Sequence, residues 1–479
     1  MSRLLSLLPA LALAGCVAGP PPEVATPAPV LPDRFTFAGN VSQQASVADL
    51  LPRQDPAFTA LLGQAMAGSP TLGEALARID QARAGAARAG AERLPAIGVS
   101  SSVTGQRTNP AQFGANLPAG IGFDTERASY AANLTARWDP DIFGSLRAQE
   151  RAAIARIDAA EAGAAAVRLA LTGEIAASVI DWRTLDARIA EIESDVAAAA
   201  ELARLAGIRE DAGIAPGFDR VRAESAAAGS RSRLAILQSE RSRLVGRLVT
   251  LSAQPAPQVL AALSLADSPQ TLAPAPPALP SLLLANRPDI LGAAASLAAE
   301  DAELAATARR RFPVLDLNAA IGLLAFSPAD LFDEESLVGT LAATLAAPLI
   351  DFGRLEAEID GAAAEKRAAF ETYRGAVFAA LGEAEAAYGL VAAADAEAQA
   401  AVAERDAAQR AAQLAKTRYE AGLADFLTVL EARRSADASG ERAAAALGRS
   451  RRARIVLWQA LGGTPAQPSS EDTVRSTSQ

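Results

Sequence analysis

Trp138-Asp139-Pro140-Asp141-Ile142-Phe143-Gly144 and Pro348-Leu349-Ile350-Asp351-Phe352-Gly353-Arg354 are two versions of one segment. Ile142-Phe143-Gly144, followed by Leu146, aligns with Asp351-Phe352-Gly353 and Leu355 at an offset of 209 residues. The same offset carries Gly173-Glu174 onto Gly382-Glu383. It also carries Arg209 with Ala212-Gly213-Ile214-Ala215 onto Arg418 with Ala421-Gly422-Leu423-Ala424. Toward the N-terminus the offset is 218: Ser69-Pro70-Thr71-Leu72 meets Arg287-Pro288-Asp289-Ile290, and Leu94-Pro95-Ala96-Ile97 meets Phe312-Pro313-Val314-Leu315. One nine-residue change of register, between Pro95 and Gly144, is what duplication followed by a single loop insertion leaves. Chance similarity between alanine-rich segments would not hold register.

Each repeat carries the same parts. A 24-residue proline-free stretch lies between Pro70 and Pro95 and again between Pro288 and Pro313. It predicts a helix with Leu72, Ala75, Leu76, Ile79 and Ala82 on one face, ended by the second proline. Weak alternation follows. Ile97, Val99, Ser101 and Val103 interleave with Gly98, Ser100, Ser102 and Thr104. A return strand sets Tyr130, Ala132, Leu134, Ala136 and Trp138 against Ser129, Asn133, Thr135 and Arg137. In the second repeat Leu315, Leu317 and Ile321 alternate with Asp316, Asn318 and Ala320, and 337–347 gives a fourth strand. Period two over about 10 residues suits a membrane strand, although a half-buried soluble sheet has the same period. Polar loops near 105–127 and 323–336 join the strands, and the first carries the nine-residue excess.

Proline is then absent from 141–215 and from 349–464. Gly144 to Gly213 and Gly353 to Gly422 both span 69 residues, or ~100 Å as continuous helix. Val377, Leu381, Ala384, Tyr388 and Val391 keep a coiled-coil spacing. Each long helix breaks at its glycine, and a shorter one returns over about 218–253 and 425–461. The return helix (~54 Å) and the 71–94 helix (~36 Å) together match the long helix, which predicts a slender rod or wall rather than a globule.

The 479-residue composition narrows the function. Half the residues are hydrophobic but only 4% are aromatic, so Ala and Leu carry the apolar share and favour helix. A net charge of −10 opposes nucleic-acid binding. The absence of His excludes His-ligated zinc and Ser-His or Cys-His catalysis. The single Cys excludes an internal disulfide or a cysteine-held cluster. No acid–base pair, phosphate loop or metal constellation is visible, so no enzyme and no cofactor is expected. Beyond the N-terminus no run of ~20 uninterrupted apolar residues occurs, so any membrane crossing must use strands.

Residues 1–15 read as a signal peptide, with Arg3 as positive flank and Leu4–Leu13 as a core too short to span a bilayer. Leu13-Ala14-Gly15-Cys16 resembles the lipobox of bacterial lipoproteins, which implies lipidation, palmitate included, at Cys16. Val17 in place of Asp points to the outer membrane by the habit of that family. Pro20-Pro21-Pro22, Pro27, Pro29 and Pro32 make the segment after it extended.

Together these motifs resemble the outer-membrane efflux proteins of the TolC/NodT type, over nearly the whole mature chain. They are Gly15-Cys16 with Gly19-Pro20; Trp138 to Gly144; Asn286-Arg287-Pro288-Asp289-Ile290 with Ala293-Ala294; Pro348 to Arg354; and Arg418-Tyr419-Glu420-Ala421-Gly422-Leu423 with Val429-Leu430-Glu431-Ala432. The resemblance implies a mainly α fold with membrane β: duplicated strand-and-long-helix repeats forming a trimeric 12-stranded β-barrel continued by a periplasmic α-helical barrel. Four strands alone cannot close a barrel, so oligomerisation is required if they cross the membrane; the trimer number comes from the resemblance.

The chain divides into the signal peptide 1–15; a lipid-anchored Pro-rich segment 16–35; a first repeat 36–260; an equatorial linker 261–286; a second repeat 287–462; and an equatorial tail 463–479. The implied function is the exit duct of a tripartite efflux pump. It is anchored in outer-membrane lipid, extends into the periplasm, and works as a homotrimer with a periplasmic adaptor and an inner-membrane transporter. By resemblance the tips Gly213, Ile214, Gly422 and Leu423 meet the adaptor, although any helical hairpin needs such a turn. Leu427, Glu431 and Arg434, at i, i+4 and i+7, match the lining of a closed periplasmic mouth; a solvated helix face would look the same. A type I secretion duct and a non-channel periplasmic coiled-coil lipoprotein are the alternatives.

Overall fold

The computed structural model describes residues 23–39, 45–109, 126–214, 216–265 and 272–463. The signal peptide, Cys16, most of the first strand-to-strand loop and the 464–479 tail lie outside the described residues. The elements, in order, are α1 (Pro56–Gly68), α2 (Pro70–Ala91), β1 (Ala96–Arg107), β2 (Glu126–Trp138), α3 (Ser145–Asp211), α4 (Gly217–Ser252), α5 (Ala256–Leu263), α6 (Leu283–Asn286), α7 (Pro288–Arg309), β3 (Val314–Ala325), β4 (Leu337–Ala346), α8 (Arg354–Glu420) and α9 (Phe426–Ala460). The two repeat offsets map α2 onto α7 at 22 residues each, and α3 onto α8 at 67 each.

The repeated Asp-x-(x)-Gly segments start the long helices. Asp141 and Phe352 take left-handed φ values of 49° and 53°, followed by Gly144 at 78° and Gly353 at 83°. This bend aims each Asp at the first turn of its helix. Asp141 accepts from the amides of Leu146 (2.9 Å) and Arg147 (2.7 Å), and Asp351 from that of Leu355 (2.9 Å). A carboxylate there satisfies amides that have no helical partner and complements the helix dipole.

The chain packs as two units. One comprises the described residues within 23–27, 79–159 and 294–372. It holds an antiparallel sheet of order β1-β2-β3-β4, and a core of Leu304 and Ala308 against Leu355, Ile359, Ala362 and Ala363. Phe143 stacks on Phe312 with ring centres 5.0 Å apart, while its repeat counterpart Phe352 is 97% exposed.

The other unit comprises the described residues within 28–78, 160–293 and 373–463. Its core joins Phe58 and Leu61 of α1, Ile175 and Val179 of α3, Leu248 of α4, Val377 and Tyr388 of α8, and Ile455 and Leu457 of α9. Buried arginines fasten it. Arg183 pairs with Asp55 and donates to the carbonyls of Leu263 and Leu265. Arg454 pairs with Asp395 and donates to the carbonyl of Ala273. Tyr388, whose hydroxyl donates to the Pro276 carbonyl at 2.8 Å, has its pKa pushed up to about 12 by burial.

One sequence expectation needs correction. On α2 the buried seam is Leu72, Ala75, Ile79 and Ala86, with Leu76 exposed. A narrow seam with seven-residue repetition has no room for the wider apolar stripe that Leu76 would extend. By length and composition alone, α3 and α8 each contain an 18-residue window apolar enough to cross a membrane, a test that core helices of soluble proteins also pass. Scattered charges hide these windows from a search for uninterrupted apolar runs.

Candidate functional site

Strand register turns the weak alternation of each strand into one coherent surface. Ile97 lies opposite Ala136, Val99 opposite Leu134, Leu134 opposite Ile321 and Leu315 opposite Leu345. Residues opposite one another share a face. One face of the sheet therefore carries Ile97, Val99, Val103, Tyr130, Leu134, Trp138, Leu315, Leu317, Ile321, Leu341 and Leu345. The other carries Ser100, Ser102, Thr104, Asn133, Thr135, Arg137, Asp316, Asn318, Thr340 and Thr344, with Arg137 and Asp316 3.3 Å apart. Among the described residues β1 and β4 each keep one unpaired edge.

At the helical turns, Gly213 and Gly422 take φ of 74° and 77°. The Gly213 amide donates to the Glu210 carbonyl and the Ile214 amide to the Arg209 carbonyl, at 2.8 and 2.9 Å. Gly422 and Leu423 repeat the pattern to Tyr419 and Arg418, at 2.9 and 2.8 Å. This paired closure is the Schellman motif, which needs the left-handed residue that Gly supplies. It pushes the next side chain outward: Ile214 and Leu423 are each 70% exposed.

The two turns differ beyond that point. Asp425 caps α9 through the Thr428 amide (2.8 Å) and hydroxyl, and these bonds hold its carboxyl below the usual range. Pro216 precedes α4 and makes no side-chain cap. Arg209 donates to the Tyr419 hydroxyl and lies 5.0 Å from that ring's centre, while Tyr419 meets Phe426 edge-on. Beneath the turns Ala206, Ala223, Phe426 and Leu430 form a small apolar core.

On α9 Leu427 is half-buried and Glu431 and Arg434 are exposed, while Leu430, between them on the same side of the helix, is buried. Among the described residues no ion pair joins Glu431 to Arg434. Arg434 lines a cavity of about 500 Å³ together with Asp195, Arg222, Ser230, Arg233, Arg433 and Asp437.

Residue types and spacing thus locate the turns. They did not reveal Tyr419 as the partner of Arg209, nor Asp195 and Asp437. A signal for Asp195 was present: it stands on the stripe of α3 that buries Ile189, Ile192 and Ala199.

Comparison with known proteins bears on the same features. The profile of the outer membrane efflux protein family matches residues 61–254 and 279–463. The pyoverdine export outer membrane protein OpmQ of Pseudomonas aeruginosa is 32% identical over 413 residues, 85% of either chain. A membrane protein from Pseudomonas aeruginosa of known structure is 26% identical and superposes with a TM-score of 0.83, covering 92% of this chain and 97% of its own. The outer-membrane channel OprN superposes with a TM-score of 0.83 at 25% identity, over 93% and 99%. Such proteins are outer-membrane channels for efflux, not enzymes. A two-faced sheet, duplicated long helices and a profile that covers both repeats place the chain in the outer membrane efflux protein family.

Proposed function

We propose that the chain is the passive exit duct of a tripartite efflux pump, conducting small molecules from the periplasm across the outer membrane. The observation that carries this reading is the sheet: one face apolar, the other polar, and two open edges. An open edge in lipid leaves backbone groups without partners, so the sheet must be closed by further copies. Three copies make a 12-stranded barrel with lipid outside and a polar lumen, and the helices continue the duct into the periplasm. Segments 36–68, 261–286 and 463–479 form a belt around them, and Cys16 carries an acyl anchor. Gly213, Ile214, Gly422 and Leu423 are the adaptor contacts, with an inner-membrane transporter driving export through that adaptor. Leu427, Glu431 and Arg434 line the resting mouth. The pyoverdine-exporting relative favours small molecules over a protein cargo.

The test uses the exposed tip side chains. Ile214→Asp with Leu423→Asp should abolish export of a fluorescent dye from a strain that depends on this duct, while its outer-membrane level and oligomeric state stay unchanged. Wild-type export by the double variant would remove the tips from the docking surface.

A further inference from the structure

A pair of carboxyl groups in the wall of the helical unit has no part in the duct reading so far. Asp195 on α3 and Asp437 on α9 face one another in the cavity that Arg434 also lines, close enough to share a hydrogen bond when one of them carries a proton. Their side chains are only 6% and 19% exposed. An ionised carboxylate is acceptor-only, so a bond between two of them requires a proton.

Their surroundings decide which one keeps it. From α4, Ser230 donates to Asp195 and Arg233 pairs with it at 2.9 Å. Asp437 pairs more loosely, with Arg433 of its own helix at 3.7 Å, and Arg233 acts on it without a close ion pair. Arg222 of α4 faces the same cavity. Along α3, Glu193 is exposed, Glu191 lies beside Gly440, and Arg188 pairs with Glu441 at 2.7 Å. Further along, α8 meets α9 through Glu404–Arg442 and Glu397–Arg449. Asp195 therefore stays ionised and Asp437 holds the proton. Burial, then the neighbouring Asp195, push the Asp437 carboxyl up to about 7.

We infer that Asp195 and Asp437 form a proton-binding latch that ties α9 to α3 beside the periplasmic mouth, and that losing the proton loosens this tie and favours opening. Arg434 stands one turn before Asp437 on α9, and Glu431 one turn before that, so a shift of α9 at the latch reaches the mouth directly. The sign follows from the raised pKa. The latch is complete at low pH and is lost as pH rises through about 7, when two like charges face each other across the seam. The pair titrates as one unit.

The consequence for opening rests on the duct reading, so the test has two arms. In the first, infrared spectra of the full-length detergent-solubilised protein should show a protonated-carboxyl band that titrates near neutrality. It should vanish in Asp437→Asn and move to lower pH in Asp195→Asn, where the facing charge is gone. A wild-type protein without such a band, or a band that persists in Asp437→Asn, would overturn the latch. In the second, single-channel conductance in planar bilayers should rise ~2-fold or more between about pH 6 and about pH 8. Both Asn variants should flatten that rise, and Glu193→Gln, an exposed carboxylate of α3, should keep it. Channels that conduct equally at both pH values would overturn the latch. A protein that forms no channel would overturn the duct reading instead, leaving the infrared titration to decide the proton site.

Discussion

Arg287 shows how much one residue fixes. Its guanidinium is 8% exposed, yet it pairs with Asp289 and Glu383, both at 2.7 Å, and donates to the Ala460 carbonyl at 2.9 Å. It thereby joins the start of α7, the middle of α8 and the end of α9. The planar fork of arginine can serve three acceptors, whereas lysine offers one point charge. Arg287→Leu should cost about 2–3 kcal/mol, the range for lost hydrogen bonds to charged groups, since Asp289 and Glu383 keep access to water. Arg287→Lys should recover only part of that. Thermal unfolding of the detergent-solubilised protein reads both; a Leu variant with the wild-type midpoint would show that the arginine carries no net stability.

At the scale of elements, Gly322 is the most constrained point of the sheet. A Cβ there would lie 2.2 Å from the Ala132 carbonyl oxygen and 2.6 Å from Asn133 Cα, both backbone atoms that cannot turn aside. At Gly339 the nearest atom would be 3.8 Å away. Gly322→Val should therefore part β2 from β3, at a cost of about 3 kcal/mol, and reduce the assembled fraction in the outer membrane, whereas Gly339→Val should assemble normally. Equal yields from the two would contradict the register. Most element boundaries were legible because they rest on local chemistry: Pro70 and Pro288 open helices, Gly213 and Gly422 end them, and period two marks strands. The contacts between helices were not. Alanine presents the same small surface on every side of α3 and α8, so periodicity cannot say which face meets which neighbour. Arg209 with Tyr419, and Asp195 with Asp437, are separated by more than two hundred residues of chain. The exposure of Leu76 has the same origin.

For the whole molecule, the duplication supplies a rule for closing the sheet. The two hairpins have the same register once the offsets are applied: Ile97 opposite Ala136 becomes Leu315 opposite Leu345. Treating the β2–β3 pairing in the same way, with Leu134 opposite Ile321, puts Ala343 of one copy opposite Val103 of the next. The same rule predicts that the exposed Phe352 packs on Leu94 of that neighbour, as Phe143 sits on Phe312. Val103→Cys combined with Ala343→Cys should give disulfide-linked ladders ending at the trimer on denaturing gels, since directly opposed residues lie within disulfide reach. Thr104→Cys with Ala343→Cys should not, because a one-residue slip turns the thiol to the other face. Ladders only from the slipped pair would reject closure by repeat symmetry.

The equal length of α3 and α8, 67 residues each, carries an evolutionary consequence. One residue added inside either helix would advance everything beyond it by about 1.5 Å and rotate it by about 100°. Arg188 would then miss Glu441 and Arg452 would miss Asp181, both of which join α3 to α9. The long helices thus act as a shared gauge that no helix can revise alone. Tolerated edits should come in whole heptads taken up by neighbouring helices together, while the loops absorb every other change in length. The sequence already records this: after the duplication, the nine-residue shift of register fell between Pro95 and Gly144, and none has accumulated between Gly144 and Gly213.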